Sequence, residues 1–248
     1  MIYIFPDSES LARYASNLIA VTAQSCVAER GRFDFVLAGG KTPNRTYEML
    51  AHTLCERRDL WENTHIFWGD ERCVPLNHPE SNYRAARLHM LETLKIPPDQ
   101  IHRIPAEDSN PAQAAERYGK IFPLRPDLLL LGMGEDGHTA SLFPGSTALD
   151  EATRRFVVTQ VAVEPRLRIT ITPPAIAAAR TIVVLASGAN KAVALRRVFS
   201  QDGDIHETPA RLVRDAVWLV DKVAAKGLAG LGVTVLSETG SETADGRR

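Results

Sequence analysis

The sequence predicts an α/β protein: a doubly wound, mostly parallel sheet with helices on both faces, a three-layer Rossmann-like arrangement in one domain. Three observations carry that prediction. Apolar runs of strand length alternate with segments of helical periodicity along most of the chain. The four leucines at 128–131 read as a strand covered on both faces, because no polar residue interrupts them. Glycines then recur at strand ends, at Gly39-Gly40, Gly69, Gly132-x-Gly134 and Gly188. Open α/β sheets place their ligands just beyond such ends.

The elements follow in chain order. Residues 1–5 form a short strand, and Asp7 or Ser8 caps a helix to about residue 29, with Leu11, Ala15, Leu18 and Ile19 on one face. A second strand at 33–38 ends at Gly39-Gly40. Thr42 as N-cap and Pro43 at the first helical position open the next helix. Residues 64–68 are a third strand, followed by a polar, proline-bearing loop to residue 81 and a helix over 82–94. A short strand is expected at 101–104 and a helix at 111–122. After the leucine strand come strands at 156–161 and 168–172, the second with Arg168, Thr170 and Thr172 on a polar face. A short helix at 173–179, a buried strand at 181–186, a helix ending at Phe199, a strand at 217–220 and a helix near 222–228 complete a domain set at residues 1–236. Residues 237–248 have the composition of a disordered tail.

Charge and cysteine usage narrow the classes of function. The 248 residues are 44% hydrophobic and carry a formal net charge of -1 with the signs interspersed. A nucleic-acid or membrane surface would need a strong field of one sign, so neither partner is expected. An anionic ligand must therefore be held by local groups. No apolar run is long enough to span a bilayer, and Asp7 and Glu9 come too early for a signal peptide. Cys26, Cys55 and Cys73 are odd in number and widely spaced, which points to a reducing, cytoplasmic setting. His52, His65, His78, His89, His102 and His206 match no zinc spacing, and no metal is expected.

Four constellations carry possible chemistry. The central one follows the leucine strand as Gly132-Met133-Gly134-Glu135-Asp136-Gly137-His138. Its spacing formally matches a dinucleotide fingerprint. Glu135 and Asp136 would repel a pyrophosphate, however, and Pro144-Gly145 interrupts any long following helix. A working histidine between Asp-Gly and Thr-Ala-Ser is the better reading. Ser141 lacks the Gly-x-Ser-x-Gly elbow of a nucleophilic serine. The second constellation, Gly39-Gly40-Lys41-Thr42-Pro43, offers backbone N–H groups, an ammonium and a hydroxyl at a helix start, which suits a phosphate monoester. In the third, Asp70 and Arg72 lie just past a strand end, where an arginine clamps an oxyanion bidentately or pairs with the aspartate to hold the loop. The fourth places Lys191 in a helix's first turn after Ser187-Gly188, a poor place for a cation without an anion nearby. Arg168, on its polar strand face, serves either a substrate anion or a buried ion pair.

In their order along residues 33–220, these motifs resemble the 6-phosphogluconolactonase family. The carriers are Gly39 to Pro43, Trp68-Gly69-Asp70-Glu71-Arg72, the loop with Asn77, Asn82 and Tyr83, the stretch from Gly132 to Gly145, Arg168-Ile169-Thr170, and Ser187-Gly188 with Lys191. The glucosamine-6-phosphate deaminase/isomerase family is similar in fold and shares the Gly-Gly loop and the Asp-Gly-His. Its pattern has tyrosine where Arg72 stands and continues its histidine with Ile-Ala-Phe-Asn-Glu, where this chain has Thr139-Ala140-Ser141-Leu142-Phe143. Two positions depart from the lactonase pattern: Lys41 replaces a common serine, and Ala177 a common asparagine.

The resemblance implies hydrolysis of 6-phospho-D-glucono-1,5-lactone to 6-phospho-D-gluconate in the oxidative pentose phosphate pathway. It needs no cofactor, and the protein acts as a monomer or small homo-oligomer on a small sugar-phosphate lactone. An activated ester needs only a base for water and some stabilisation of the developing oxyanion. Imidazole, with an ordinary pKa near 6.5, suits that task. His138 is the implied base, with Asp136 or Asp70 orienting it or the water. Arg72 and Lys191 bind phosphate or the developing charge, Gly39, Gly40, Lys41 and Thr42 hold the phosphate, and Arg168 assists. Two other readings stay open: deaminase/isomerase action on an amino sugar phosphate, and a non-catalytic sugar-phosphate sensor.

Overall fold

Residues 1–237 and 242–243 are described by the computed structural model of the chain. The strands are β1 (Ile2–Phe5), β2 (Phe33–Leu37), β3 (Thr64–Trp68), β4 (Asp70–Arg72), β5 (Leu128–Gly132), β6 (Phe156–Gln160), β7 (Leu167–Ile171), β8 (Thr181–Ala186), β9 (Val217–Asp221), β10 (Val235–Ser237) and β11 (Glu242–Thr243). Eight of them form one sheet in the order β11-β10-β1-β9-β8-β5-β2-β3. All its pairings are parallel except β10 with β11. The helices that cover it are α1 (Ser8–Arg30), α2 (Thr42–Leu54), α3 (Arg58–Trp61), α4 (Asn82–Ala86), α5 (Glu92–Leu94), α6 (Pro111–Ile121), α7 (Pro173–Ala177) and α8 (Ala192–Phe199). This is the doubly wound fold expected from the sequence.

Strand order sets the place of the crevice. From β2 the chain moves outward to its neighbour β3; from β5 it moves the other way, to β8 and β9. Since β2 and β5 pair directly, the loops leaving their C-terminal ends diverge. Buried tyrosines finish the C-terminal ends of β2 and β3. The Tyr47 hydroxyl, from α2, accepts from the Ala38 N–H at 3.0 Å and donates to the Ala38 carbonyl at 2.8 Å. Tyr118, from α6, does the same for Trp68, at 2.9 and 3.2 Å. Backbone groups that lose their ladder partners where strands part are thus satisfied without water. Burial raises the pKa of both phenols far above the ordinary tyrosine value, so neither ionises.

A second, three-stranded antiparallel sheet, β4-β7-β6, stands beside the main one. The sequence anticipated β6 and β7 but not this separate sheet. β4 has only three residues, Asp-Glu-Arg, and its strand character comes from pairing with β7 across nearly a hundred residues of chain. Its register sets Arg72 opposite Arg168 and Asp70 opposite Thr170. The polar face expected for β7 is in fact buried: Arg168, Thr170 and Thr172 are all at most 5% exposed.

Local signals explain the boundaries. Asp7, rather than Ser8, caps α1, its carboxylate accepting from the Ser10 N–H at 2.8 Å, and Gly31 ends the helix in the left-handed region at φ 68°. Leu11, Ala15 and Ile19 are buried on the anticipated face. At α2 the expectation fails: the helix starts at Thr42, and no side chain caps it. The strand expected at 101–104 reduces to one bridge between Ile101 and Ile66. The helix expected near 222–228 is a 3₁₀ turn, Ala225–Leu228. Residues 82–94 form the expected helix, widened by a π-helical segment at Arg87–Leu91. Within the expected tail, Ser237 ends β10, which pairs with β1, and Glu242–Thr243 pairs with β10; residues 238–241 and 244–248 lie outside the described residues.

Candidate active site

The loop after β5 builds its own geometry. Gly134 donates to the His138 carbonyl at 2.8 Å and Gly137 to the Gly134 carbonyl at 3.2 Å, closing a tight turn. A Cβ on Gly134 would lie 2.1 Å from Nδ1 of His138, so only glycine leaves room for the imidazole. The Asp136 carboxylate receives the His138 ring at Nδ1 (2.7 Å) and the His138 backbone N–H (3.0 Å) on one oxygen. Burial pushes the Asp136 carboxyl up, but the His138 hydrogen bonds outweigh it and hold the group below its ordinary pKa. An ionised carboxylate only accepts, so the imidazole carries its proton on Nδ1. Nε2 then keeps a free lone pair, with no protein partner among the described residues.

The segment after His138 turns back sharply. Thr139 and Leu142 bond each other's backbones, and Ala140 between them is held at φ 49°, an uncommon conformation for a residue with a Cβ. The turn delivers Ser141, whose hydroxyl donates to Asp70 at 2.5 Å and whose N–H donates to the Thr170 hydroxyl at 3.1 Å. It also delivers Phe143, whose ring stacks on His138 at 4.0 Å between centroids and lies beneath the Arg168 guanidinium at 5.6 Å.

The loop after β3 is held instead by two buried carboxylates. Glu71 accepts from the N–H groups of Arg72, Asn82 and Tyr83, each at 2.8 Å, and from the Ser81 hydroxyl at 3.1 Å. It pins the start of α4 against β4. Burial pushes its carboxyl up in pKa, opposed by those backbone donors. Asp70 accepts from Ser141 and, on its other oxygen, from the Asn82 amide at 3.1 Å. Asn82 in turn lies where a Cβ on Gly39 would be, 2.1 Å from its Oδ1, so the glycine pair admits this loop.

Around these groups a cleft of about 170 Å³ opens at the strand ends. Gly39, Gly40, Lys41, Thr42, Asp70, Arg72, His138, Arg168 and Lys191 all line it. Of the catalytic and binding residues named from the sequence, Asp136 alone does not line the cleft; it holds the imidazole. The histidine's partner among the two aspartates is therefore Asp136; Asp70 is engaged elsewhere. Arg72 does not pair with Asp70 but with Glu80, through its carbonyl and a carboxylate oxygen at 3.5 Å. Its Nε is buried with no hydrogen-bond partner among the described residues. Arg168, 5% exposed, donates Nε to the Pro165 carbonyl at 3.1 Å. Burial, and next the charge of Arg72 across the strand pair, lower its pKa. Two guanidiniums side by side at a cleft favour an anion between them. Thr42, which makes no side-chain cap, lines the cleft too.

Comparisons with known proteins show the family. Residues 6–220 match the family described as glucosamine-6-phosphate isomerases/6-phosphogluconolactonase. The chain belongs to this family. It is 40% identical over 226 residues to a 6-phosphogluconolactonase of Synechocystis sp., covering 85% of this chain and 92% of that one. The solved structure of 6-phosphogluconolactonase from Trypanosoma brucei superposes with a TM-score of 0.81 at 30% identity, covering 92% of this chain and 98% of that one. A monomeric glucosamine-6-phosphate deaminase shares the fold, with a TM-score of 0.79 at 21% identity over 91% of this chain and 99% of that one.

Reading the sequence alone missed Glu71 and Ser141 as holders of the site and Phe143 as a contact of the histidine. Ser141 was visible only as a non-nucleophile, and nothing local shows that it reaches Asp70. Phe143, five residues beyond His138 in a turn-rich stretch, was the one with a usable signal: such spacing lets a chain fold back on itself.

Proposed function

We propose that this chain hydrolyses 6-phospho-D-glucono-1,5-lactone to 6-phospho-D-gluconate, the lactonase step of the oxidative pentose phosphate pathway, with His138 as general base. The observation that carries it is the imidazole whose Nδ1 is fixed by Asp136 while Nε2 is free in a cleft lined by Arg72, Arg168, Lys41 and Lys191. Nε2 takes a proton from water as its oxygen adds to the lactone carbonyl. The tetrahedral oxyanion collapses, the bond to the ring oxygen breaks, and the imidazolium returns the proton to that oxygen. Asp136 stabilises the imidazolium in between. Arg72 and Arg168, with Lys191 and the Gly39-Gly40-Lys41-Thr42 loop, hold the phosphate and steady the negative charge. Asp70, locked by Ser141 and Asn82, orients the water or a sugar hydroxyl. The ammonium of Lys41 takes over the anchoring done by the serine common at its position.

The same domain, residues 1–236, carries the whole site, and three free cysteines support work in the cytoplasm. A deaminase/isomerase reading lacks its glutamate and tyrosine here, and a sensor would have no use for a free base.

The test generates the lactone in place from glucose 6-phosphate and couples the product to 6-phosphogluconate dehydrogenase, corrected for spontaneous hydrolysis. His138→Ala should lower kcat about 10²- to 10⁴-fold with little change in KM. Unchanged turnover would remove His138 from its role, and ammonia release from glucosamine 6-phosphate would replace the reaction itself.

A further inference from the structure

Phe143 is the aromatic group in contact with both the candidate base and a cleft arginine. Its ring centroid lies 4.0 Å from that of His138 with 18° between planes, and the Arg168 guanidinium sits 5.6 Å from the same ring. The backbone that carries the ring is held on both sides. Leu142, beside it, is fully buried and bonded to Thr139 in both directions, the Phe143 carbonyl accepts from Ser146 at 3.0 Å, and Gly145 donates to the His206 carbonyl at 2.8 Å.

A histidine held only at Nδ1 can still swing about that hydrogen bond, carrying Nε2 out of the cleft. A parallel ring at 4.0 Å removes that freedom. The face of an aromatic ring also carries partial negative charge, which favours a cation stacked on it over the neutral form. Taking a proton makes His138 such a cation.

We propose that Phe143 is a positioning residue for His138: its ring fixes the imidazole plane so that Nε2 faces the cleft, and it stabilises the imidazolium formed when water is deprotonated. This rests on His138 acting as the base. The charged groups around the imidazole are Asp136 on its own loop, Arg168 from β7, Asp70 and Arg72 from β4, Lys41 before α2 and Lys191 before α8. None of these charges is added or removed when an uncharged side chain replaces Phe143, and Arg168 drawing away from the lost ring would raise the midpoint, so a fall reports the ring.

The experiment compares wild type, Phe143→Leu, Phe143→Met and Phe143→Tyr in lactone hydrolysis over pH, with the His138 ring titrated by NMR in parallel. Loss of the ring in the Leu and Met variants should lower kcat about tenfold. It should also move the His138 titration midpoint and the acid limb of kcat down by about half a pH unit. Phe143→Tyr should restore both. If Phe143→Leu does not fold, Phe143→Met, unbranched and adaptable, carries the test. An unmoved titration, or an effect confined to KM, would assign the ring to packing or to Arg168 and overturn the proposal. The NMR titration needs no turnover, so it stands apart from the base assignment, which His138→Ala tests separately.

Discussion

The two loops that face each other across the cleft are built on opposite principles. The loop after β5 is local: between Gly132 and Leu142 its turn bonds, its missing Cβ and its Asp136–His138 pair all come from neighbouring residues. The loop after β3 is global: Glu71 reaches ten to twelve residues ahead, Asp70 reaches Ser141, and β4 exists only as a partner of β7. One loop makes the reactive group and the other makes its surroundings. Damage should separate accordingly, into lost turnover on one side and lost stability on the other.

The largest effect should come from Glu71→Ala. It leaves the N–H groups of Arg72, Asn82 and Tyr83 without an acceptor, that of Asn82 buried and the other two part-buried, at about 1–3 kcal/mol for a fully buried unpaired group and less for the others. Denaturant unfolding should show a loss of about 2–3 kcal/mol, with the activity of the folded fraction also reduced because Arg72 and Asp70 lose their frame. Unchanged stability would show that the loop does not hang on that carboxylate.

Gly134→Ala is the opposite kind of change. Its Cβ would meet the imidazole at 2.1 Å and the Asp136 carboxylate at 2.7 Å, so the base must move. Turnover should drop about 100-fold, or roughly 2.7 kcal/mol in the barrier, while the unfolding midpoint moves little. A large fall in stability with turnover per folded molecule intact would reverse the contrast between the loops.

This division also explains what the sequence made legible. The doubly wound sheet was readable because its strands are continuous apolar runs such as 128–131. His138 was readable because its supports lie within a few residues. Glu71 was not, since a glutamate after an aspartate in a polar loop looks like any solvated residue until the fold buries it. Nor was β4, whose three polar residues have no strand signature without β7. The Arg72–Arg168 pairing is likewise a product of register and not of spacing. Even the failed N-cap at Thr42 has this character: the local rule favoured a cap, and the residue lines the cleft without making one.

A smaller effect should separate charge from shape at the histidine's anchor. The folded-state pKa of Asp136 lies below its unfolded value near 3.8, so its ionised form adds stability above that value. The contribution disappears as pH falls through the lowered folded value. Asp136→Asn should therefore be less stable than wild type near neutrality, with the gap closing below about pH 4. The side chain is 46% exposed, so solvent screening keeps the gap small. Turnover should fall more visibly, at least tenfold, because an amide no longer fixes the proton on Nδ1. A stability gap that persists into acid would point to shape rather than charge.

The smallest effect in stability should be Ala140→Gly, and it is the finest probe of the local loop. Alanine at φ 49° carries about 1–2 kcal/mol of steric cost that glycine would relieve. Glycine also gives the unfolded chain more freedom, which costs about 0.4–1 kcal/mol of stability. The balance leaves less than about 1 kcal/mol in favour of glycine, so the unfolding midpoint should rise only slightly. Turnover should nonetheless fall a few-fold, because Ala140 lies on the short stretch between His138, which carries the base, and Ser141, which holds Asp70. A stiff link there keeps the two loops in one register, and a looser one lets them shift apart. Equal turnover in the glycine variant would mean that the hydrogen bonds of Thr139, Leu142 and Ser141 hold the register unaided.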